Sequence, residues 1–121
     1  MEPAWPKPEG FPDYLDSEGL AEYVIDLCGQ EADPEFIRSA MEWRVGQLEW
    51  IPMDQLREGP KDTNIRSMRL EKKYSQLPIE TTPPLLVDEN GEVVDGNHRF
   101  RIAQAKKAAG LWCYRMDWEP E

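Results

Sequence analysis

The sequence has few of the residues that build covalently linked or metal-held scaffolds. Its 121 residues include two cysteines, Cys28 and Cys113, and a single histidine, His98. The cysteines do not form a CxxC pair, so a structural zinc site is not expected. Two isolated cysteines also give no disulfide framework. This is typical of a reducing compartment, and we therefore predict a cytoplasmic protein.

Long apolar runs are also missing. No segment approaches the roughly 20 apolar residues that a membrane-spanning helix needs, so no membrane association is predicted. The N-terminal sequence MEPAWPKPEGFPDY has neither the basic start nor the apolar stretch of a secretory signal peptide. The hydrophobic fraction of 40% and the five tryptophans nevertheless supply enough apolar material for one folded domain.

Basic residues are scarce in the first half of the chain. Residues 1–56 contain three basic and thirteen acidic residues, whereas residues 57–121 contain eleven of each, so the net charge of -10 lies in the first half. Nucleic-acid binding needs a basic surface, and direct DNA binding is therefore not expected. The acidic half has two interpretations: a solvated surface, or a docking surface for a basic protein partner that could also mimic nucleic-acid charge.

The first 46 residues are predicted to form two segments. Residues 1–13 contain four prolines and are predicted to be an extended proline-rich arm, which Trp5 and Phe11 could attach to a surface. Residues 14–46 are predicted to be an acidic helical extension with two amphipathic helices. The first helix is predicted to begin near Glu18 and to end at Gly29.

The second predicted helix begins with Asp33 as its N-cap and Pro34 in its first turn, and it ends at Gly46. Its predicted buried face comprises Phe36, Ile37, Ala40, Met41 and Val45.

Residues 47–121 change to a pattern in which strands and helices alternate. Strands are predicted over residues 48–53, 85–87, 92–94 and 112–116, and helices over residues 64–76 and 97–109. The sequence DENG between two of the strands is typical of a hairpin turn. The predicted fold class is α/β, in the α+β sense: a small mixed sheet with packed helices, preceded by the N-terminal helical pair.

The residues with the clearest chemistry lie in the stretch VVDGNHRFRIAQAKKAAG, residues 93–110. A strand ends at Asp95 and Gly96 and opens directly into a helix, whose first N–H groups have no intrahelical acceptor and favour an anion. Arg99 supplies a planar cation suited to phosphate, and His98 can donate a hydrogen bond or exchange a proton near neutral pH. The alternative is a structural corner in which Asp95 caps the helix and Arg99 pairs with a carboxylate.

The segment PPLLVDENGEVVDGNHRFRIAQAKKAAGLWCYRMDW resembles the ParB/sulfiredoxin-like superfamily. Its members are similar in the order strand, turn, strand, Gly-x-His-Arg box, helix, glycine and final strand. The box here comprises Gly96, Asn97, His98 and Arg99, and the resemblance covers roughly residues 48–118. It implies a ParB/sulfiredoxin-like domain over residues 47–121, with phosphates held at the box.

Different members of the superfamily imply different reactions. Sulfiredoxins bind ATP at a Gly-Cys-His-Arg box and reduce a cysteine sulfinic acid, but Asn97 replaces that cysteine here, so this reaction is not expected. ParB proteins bind and hydrolyse CTP, and their separate DNA-binding unit is not expected in this short, acidic sequence. ParB-like free-serine kinases have a similar box and use a glutamate in the loop after the first strand, where Glu58 lies here. Some other members are nucleases.

Two functional hypotheses follow. The first is a nucleotide- or phosphate-binding protein that takes ATP or CTP with Mg²⁺, with ATP-dependent phosphotransfer or nucleotide hydrolysis as its expected reactions. Its predicted catalytic residues are Asp95, His98 and Glu58, and no protein metal site is predicted. The predicted cofactor-binding residues are Gly96, Asn97, His98, Arg99, Arg66 and Arg69. The second hypothesis is a non-enzymatic acidic binding or inhibitor protein that docks a basic partner or mimics nucleic-acid charge.

The two arginines outside the box have a second interpretation. Arg66 and Arg69 form either a second cationic wall for the phosphates or an ordinary solvated helix face.

Overall fold

A computed structural model describes residues 2–28, 33–59 and 78–119. Within these residues, five strands form one mixed sheet in the order β1-β2-β5-β3-β4. The strands are β1 Tyr14–Leu15, β2 Arg44–Pro52, β3 Leu85–Val87, β4 Val93–Asp95 and β5 Gly110–Trp118. The helices are α1 Ser17–Cys28, α2 Pro34–Ala40 and α3 Asn97–Ala105. The predicted mixed sheet with packed helices is confirmed.

The sheet is built around the long antiparallel pair of β2 and β5. This pair is in register from Arg44 opposite Trp118 to Pro52 opposite Gly110. On its other side, β5 runs parallel to β3, and β3 forms the predicted hairpin with β4. The result is a sheet whose central strand, β5, has an antiparallel neighbour on one side and a parallel neighbour on the other.

Helices cover both faces of the sheet. Because side chains alternate along a strand, Cys113 faces α3 while Tyr114 faces α1 and α2. The α3 face contains a buried cluster that includes Leu85, Val87, Val93, Phe100, Ala103 and Leu111. The opposite face contains a second buried cluster that includes Leu20, Val24, Ile37, Met41, Leu86 and Met116. The box of residues 96–99 lies at one end of the first layer.

The second predicted helix is wrong beyond Ala40. The chain turns at residues 41–43, where Trp43 has a left-handed φ of 66°, and Val45 lies in β2. These residues form a strand instead of the predicted helix, because every residue from 44 to 52 is paired with β5. Two members of the predicted buried face, Phe36 and Ala40, are exposed, and the exposed fraction of Phe36 is 70%. Strand β2 also runs across the boundary predicted between residues 46 and 47.

The helix that follows the box is shorter than predicted. It ends at Ala105, and Lys107 then reverses the chain with a φ of 57°. Gly110 does not cap the helix but begins β5, where a Cβ atom would lie 2.6 Å from the Ile51 carbonyl oxygen. The glycine is therefore required by the close approach of β2 and β5.

The N-terminal arm lies against the sheet, and Trp5 and Phe11 attach it to the protein surface as predicted. The rings of Trp5 and Trp50 meet edge to face with their centroids 4.8 Å apart, and Trp112 Nε1 donates a hydrogen bond to the Trp5 carbonyl at 3.0 Å. Tyr114 Oη donates to the Pro12 carbonyl at 2.7 Å. Phe11 contacts the ring of Tyr23, with a centroid separation of 6.0 Å. Aromatic contacts and two hydrogen bonds thus tie a chain without regular structure to β2, β5 and α1.

The predicted helix over residues 64–76, with Arg66 and Arg69, lies outside the described residues. Within the described ranges, no helix has the length and apolar character needed to cross a membrane.

Candidate functional site

The turn between β4 and α3 has the geometry that the sequence predicts. Gly96 has φ 111° and ψ 23°, and its carbonyl accepts the first helical hydrogen bond from Phe100 N at 2.9 Å. A Cβ atom at this position would lie 2.9 Å from both Leu85 Cγ and Arg99 Nη2. Glycine is therefore needed both for its backbone conformation and for space. Because Gly96 is the N-cap, Asp95 does not cap the helix.

Arg99 points into the protein. Only 4% of the residue is exposed, and its Nη1 donates to the carbonyls of Pro83 at 2.6 Å and Pro84 at 3.3 Å. Its Nη2 lies 3.7 Å from Asp95 Oδ2. The backbones of Pro83 and Pro84 can only accept hydrogen bonds, and the guanidinium can only donate them, so these groups are complementary. The arginine joins the segment before β3 to the start of α3.

The surroundings of Arg99 are largely buried. Tyr23 of α1 donates from its hydroxyl to the same Pro84 carbonyl at 2.5 Å. Burial raises the pKa of Tyr23 well above its ordinary value, although the nearby Arg99 cation opposes this. On the α3 face, burial raises the pKa of the Cys113 thiol to about 12, with Arg99 again opposing it. Both groups therefore remain neutral at physiological pH, and the guanidinium is the charged centre of a buried region.

The outer side of the same turn contains a second arginine. Arg101 Nη2 lies 3.2 Å from His98 Nδ1, and Arg101 Nε lies 3.6 Å from Glu58 Oε1. Because a guanidinium can only donate, His98 Nδ1 accepts, and the neutral ring then carries its proton on Nε2. The side chains of Arg101 and Glu58 are 24% and 25% exposed, so water reaches this group in part.

Two carboxylates border the turn from opposite sides. Asp95 pairs with Arg99 and its side chain is 34% exposed, whereas Glu58 pairs with Arg101. The oxygens that face the two arginines, Asp95 Oδ2 and Glu58 Oε1, are buried and accept no hydrogen bond from the residues that the structure describes. Among the described residues, no group of three His, Cys, Asp or Glu side chains is arranged to hold a metal ion.

The structure therefore brings together three of the predicted catalytic residues around Gly96 but divides them between two arginines. Asp95 lies with Arg99 on the inner side, while His98 and Glu58 lie with Arg101 on the outer side. Sequence reasoning missed Arg101. Its spacing of three residues from His98 places both on one helix face, a signal that could have identified it. The roles of Asn97, Arg66 and Arg69 in ligand binding stay predictions.

A separate polar groove lies near the β3–β4 turn. It has a volume of about 410 Å³ and is lined by Asp54, Gln55, Arg57, Glu89, Asn90 and Arg115. Arg115 pairs with Glu49 at 3.2 Å, and Glu89 pairs with Arg44 at 3.1 Å. With two acidic and two basic residues, the lining has no net charge, so it lacks the positive field that favours an anion.

Comparison with known proteins gives similarity in structure alone. No protein-family model and no curated protein matches the sequence. Among solved structures, the chain is similar to one crystal form of a Pnob8-like ParB N-domain, with 20% identity and a TM-score of 0.49. It is also similar to a pNOB8-like ParB N-domain, with 18% identity and a TM-score of 0.49.

The similar region covers 63% of this chain and about a third of those chains, 32% of the first and 29% of the second. Both solved structures are of ParB N-domains, the kind of domain that the sequence resembles.

Proposed function

We propose that the protein binds a nucleoside triphosphate through its phosphates at the outer side of the Gly96 turn. One observation carries this proposal: the contact of His98 with Arg101, 3.2 Å long, in the first turn of α3. It adds a cation and an imidazole to the N-terminal end of a helix, and that end already favours an anion.

Arg101 is the cation of the proposed site, and Arg99 supports it from inside. Arg99 donates to the carbonyls of Pro83 and Pro84, so turning it to a ligand would break both hydrogen bonds and leave the Pro83 carbonyl without this donor. Arg101 is partly exposed, and the fork geometry of arginine suits contact with a carboxylate and a phosphate together. Glu58 would hold the fork in place while the phosphates bind.

The expected ligand is ATP or CTP with Mg²⁺, and the expected reaction is phosphotransfer or hydrolysis. The bound nucleotide supplies the transferable phosphoryl group. The backbone of Gly96 and Asn97, with His98 and Arg101, would hold the phosphates, and Glu58 would accept a proton from the attacking hydroxyl or water. The bond between the γ-phosphorus and its bridging oxygen would break, and the nucleoside diphosphate would leave. Catalysis would come from positioning and charge stabilisation. With no three-residue metal cluster in the described chain, Mg²⁺ would bind mainly through the phosphates.

Thermal unfolding with ATP, CTP and GTP, each with and without Mg²⁺, tests the proposal. A ligand that binds only the folded state at a hundred times its Kd adds about 2.7 kcal/mol to stability and raises Tm. We expect the wild type to show a shift with at least one nucleotide, and Arg101→Ala to lose most of it. Arg99→Ala is unsuitable here, because it would also weaken the fold.

The matched control is Arg115→Ala, which removes an ion-paired arginine from the polar groove instead. Arg115→Ala should keep the shift. A shift that survives Arg101→Ala and disappears in Arg115→Ala would place the ligand in the groove and contradict the proposal. No shift with any nucleotide at millimolar concentration would also contradict it.

A second candidate function is binding of a basic protein partner through the acidic half, and a specific observation favours it. The described carboxylates of residues 2–42 are all exposed: Glu2, Glu9, Asp13, Asp16, Glu18, Glu22, Asp26, Asp33, Glu35 and Glu42. Only Asp13 and Glu22 form ion pairs within the described chain, with Lys7 and Arg38. The acidic half therefore presents largely uncompensated charge to solvent, which attracts a basic partner at long range.

A further inference from the structure

Trp43 is placed where it does not help the protein to fold. It has a φ of 66°, a conformation that costs a non-glycine residue free energy, and 64% of it is exposed. Glycine would suit this turn better and would expose no apolar surface. A strained and exposed tryptophan is therefore a reason to look for a function outside folding.

Trp118 lies at the same end of the sheet and is 58% exposed. It is the β5 partner of Arg44, the residue after Trp43, and Glu119 N donates to the Trp43 carbonyl at 2.6 Å. The guanidinium carbon of Arg44 lies 4.3 Å from the centroid of the Trp118 ring. The protein thus already binds one guanidinium of its own on an aromatic ring here, in cation–π geometry.

Carboxylates flank both tryptophans along the chain. Glu42 precedes Trp43, and Asp117 and Glu119 stand on either side of Trp118, all three with exposed side chains. Together these five residues are the tryptophan corner. Exposed aromatic rings and exposed carboxylates at one end of the sheet suit arginine and lysine side chains, because the ring faces and the carboxylates both attract cations.

We propose that the tryptophan corner is a docking site for an arginine- or lysine-rich segment of a partner protein. The proposal rests on the second candidate function and gives it a location. Charge complementarity selects this occupant: the chain has a net charge of -10, which repels both nucleic acid and a second copy of itself. The tryptophans would anchor the segment, while the wider acidic surface would steer it toward the corner.

Isothermal titration with a synthetic peptide of alternating arginine and glycine tests the proposal on the full chain. A citrulline–glycine peptide of the same length removes the charge and preserves the shape, and we expect it not to bind. The key variant is Trp43→Gly. We expect a Kd for the arginine peptide at least tenfold weaker than that of the wild type, while Tm stays the same or rises because the backbone strain is relieved.

Two charge variants with the same net charge separate the corner from the general field. The first combines Glu42→Gln, Asp117→Asn and Glu119→Gln at the corner. The second combines Glu9→Gln, Asp26→Asn and Glu80→Gln, whose side chains are exposed elsewhere. We expect at least a tenfold loss of affinity in the first and less than a threefold loss in the second.

The outcomes distinguish the two levels of the proposal. If the wild type does not bind the arginine peptide at low salt, both the corner and the second candidate function fail. If it binds, but Trp43→Gly has no effect and both charge variants weaken binding equally, the acidic surface attracts cations without a defined site. That result overturns the tryptophan corner and leaves the second candidate function intact.

Discussion

The two sides of the Gly96 turn place the same kind of residue in different surroundings. On the inner side, Arg99 is buried against Pro83 and Pro84 and joins α3 to the segment before β3. On the outer side, Arg101 is partly exposed and contacts His98 and Glu58. Two positions along a helix turn a side chain by about 200°, so residues this close in sequence face nearly opposite directions.

The comparison shows that a short motif does not by itself reveal which of two neighbouring arginines is buried. In the sequence, Arg99 is adjacent to the histidine and belongs to the box, so it was predicted to bind phosphate. In the structure, the residue that shares a helix face with His98 is Arg101. We therefore expect substitution of Arg99 to affect the stability of the fold, and substitution of Arg101 to affect ligand binding.

The largest expected effect is that of Arg99→Ala. It removes a buried guanidinium, leaves the Pro83 carbonyl without this donor and leaves Asp95 without its ion-pair partner, so we expect a loss of about 4 kcal/mol in the free energy of unfolding. Arg101→Ala should cost under about 1 kcal/mol, because its ion pair is partly solvated. Urea unfolding of both variants measures the difference. Equal losses would show that the two sides of the turn are not divided between stability and binding.

Gly96→Ala should be the next most destabilising change, at about 3 kcal/mol. Two costs add here: a non-glycine residue at positive φ, and a Cβ atom too close to Leu85 and Arg99. Gly10→Ala is the matched control, since Gly10 has a φ of 87° but no atom within 4 Å of the added Cβ. It should cost about 1 kcal/mol. If both substitutions cost the same in urea unfolding, close packing behind the turn contributes nothing.

Tyr23→Phe tests the hydroxyl that shares the Pro84 carbonyl with Arg99. Loss of this part-buried hydrogen bond should reduce the free energy of unfolding by about 1 kcal/mol. Tyr14→Phe, at a residue that is 51% exposed, should change it by less than about 0.5 kcal/mol. Thermal and urea unfolding should agree on this order. An effect of Tyr23→Phe as small as that of the control would mean that the hydrogen bond from Arg99 is sufficient by itself for the Pro84 carbonyl.

The smallest expected effect is a change in the alkaline pH dependence of stability. The pKa of Cys113 rises from an ordinary value of 9.0 in the unfolded chain to about 12 in the folded protein. The unfolded chain therefore releases this proton first, so the thiol's contribution is fully present below pH 9 and is lost as pH rises towards 12.

Cys113→Ala should consequently lose stability less steeply than the wild type between pH 9 and pH 10, where few other groups with raised pKa values titrate. Urea unfolding at closely spaced pH values measures the two slopes. Identical slopes would show that water reaches the thiol and that the interior behind the turn is not dry.

Local sequence signals predicted the elements whose ends are fixed by local chemistry. The N-cap of α2 at Asp33, the DENG hairpin and the strand-to-helix turn at Gly96 all appear as expected, because a side-chain cap or a glycine specifies each of them within a few residues. Hydrophobic periodicity likewise identified the buried Ile37 and Met41 of the second predicted helix. The prediction that Trp5 attaches the arm to a surface is confirmed, because a tryptophan in a proline-rich segment can be buried only against another part of the protein.

Contacts between residues that are distant in the sequence determined the features that local signals did not predict. Residues 44–46 have a helical pattern locally, but β5 supplies hydrogen-bond partners for all of them. The chain reversal before β2 requires Trp43 to adopt a left-handed conformation, which costs free energy. The contact between Glu58 and Arg101 depends on how the chain after β2 returns to α3, and no local rule encodes it. The sequence by itself determined the mixed α+β class, the surplus negative charge of the first half and the glycine turn at 96. Only the tertiary structure decided which arginine is buried, because that depends on the acceptors that Pro83 and Pro84 present from a distant part of the chain.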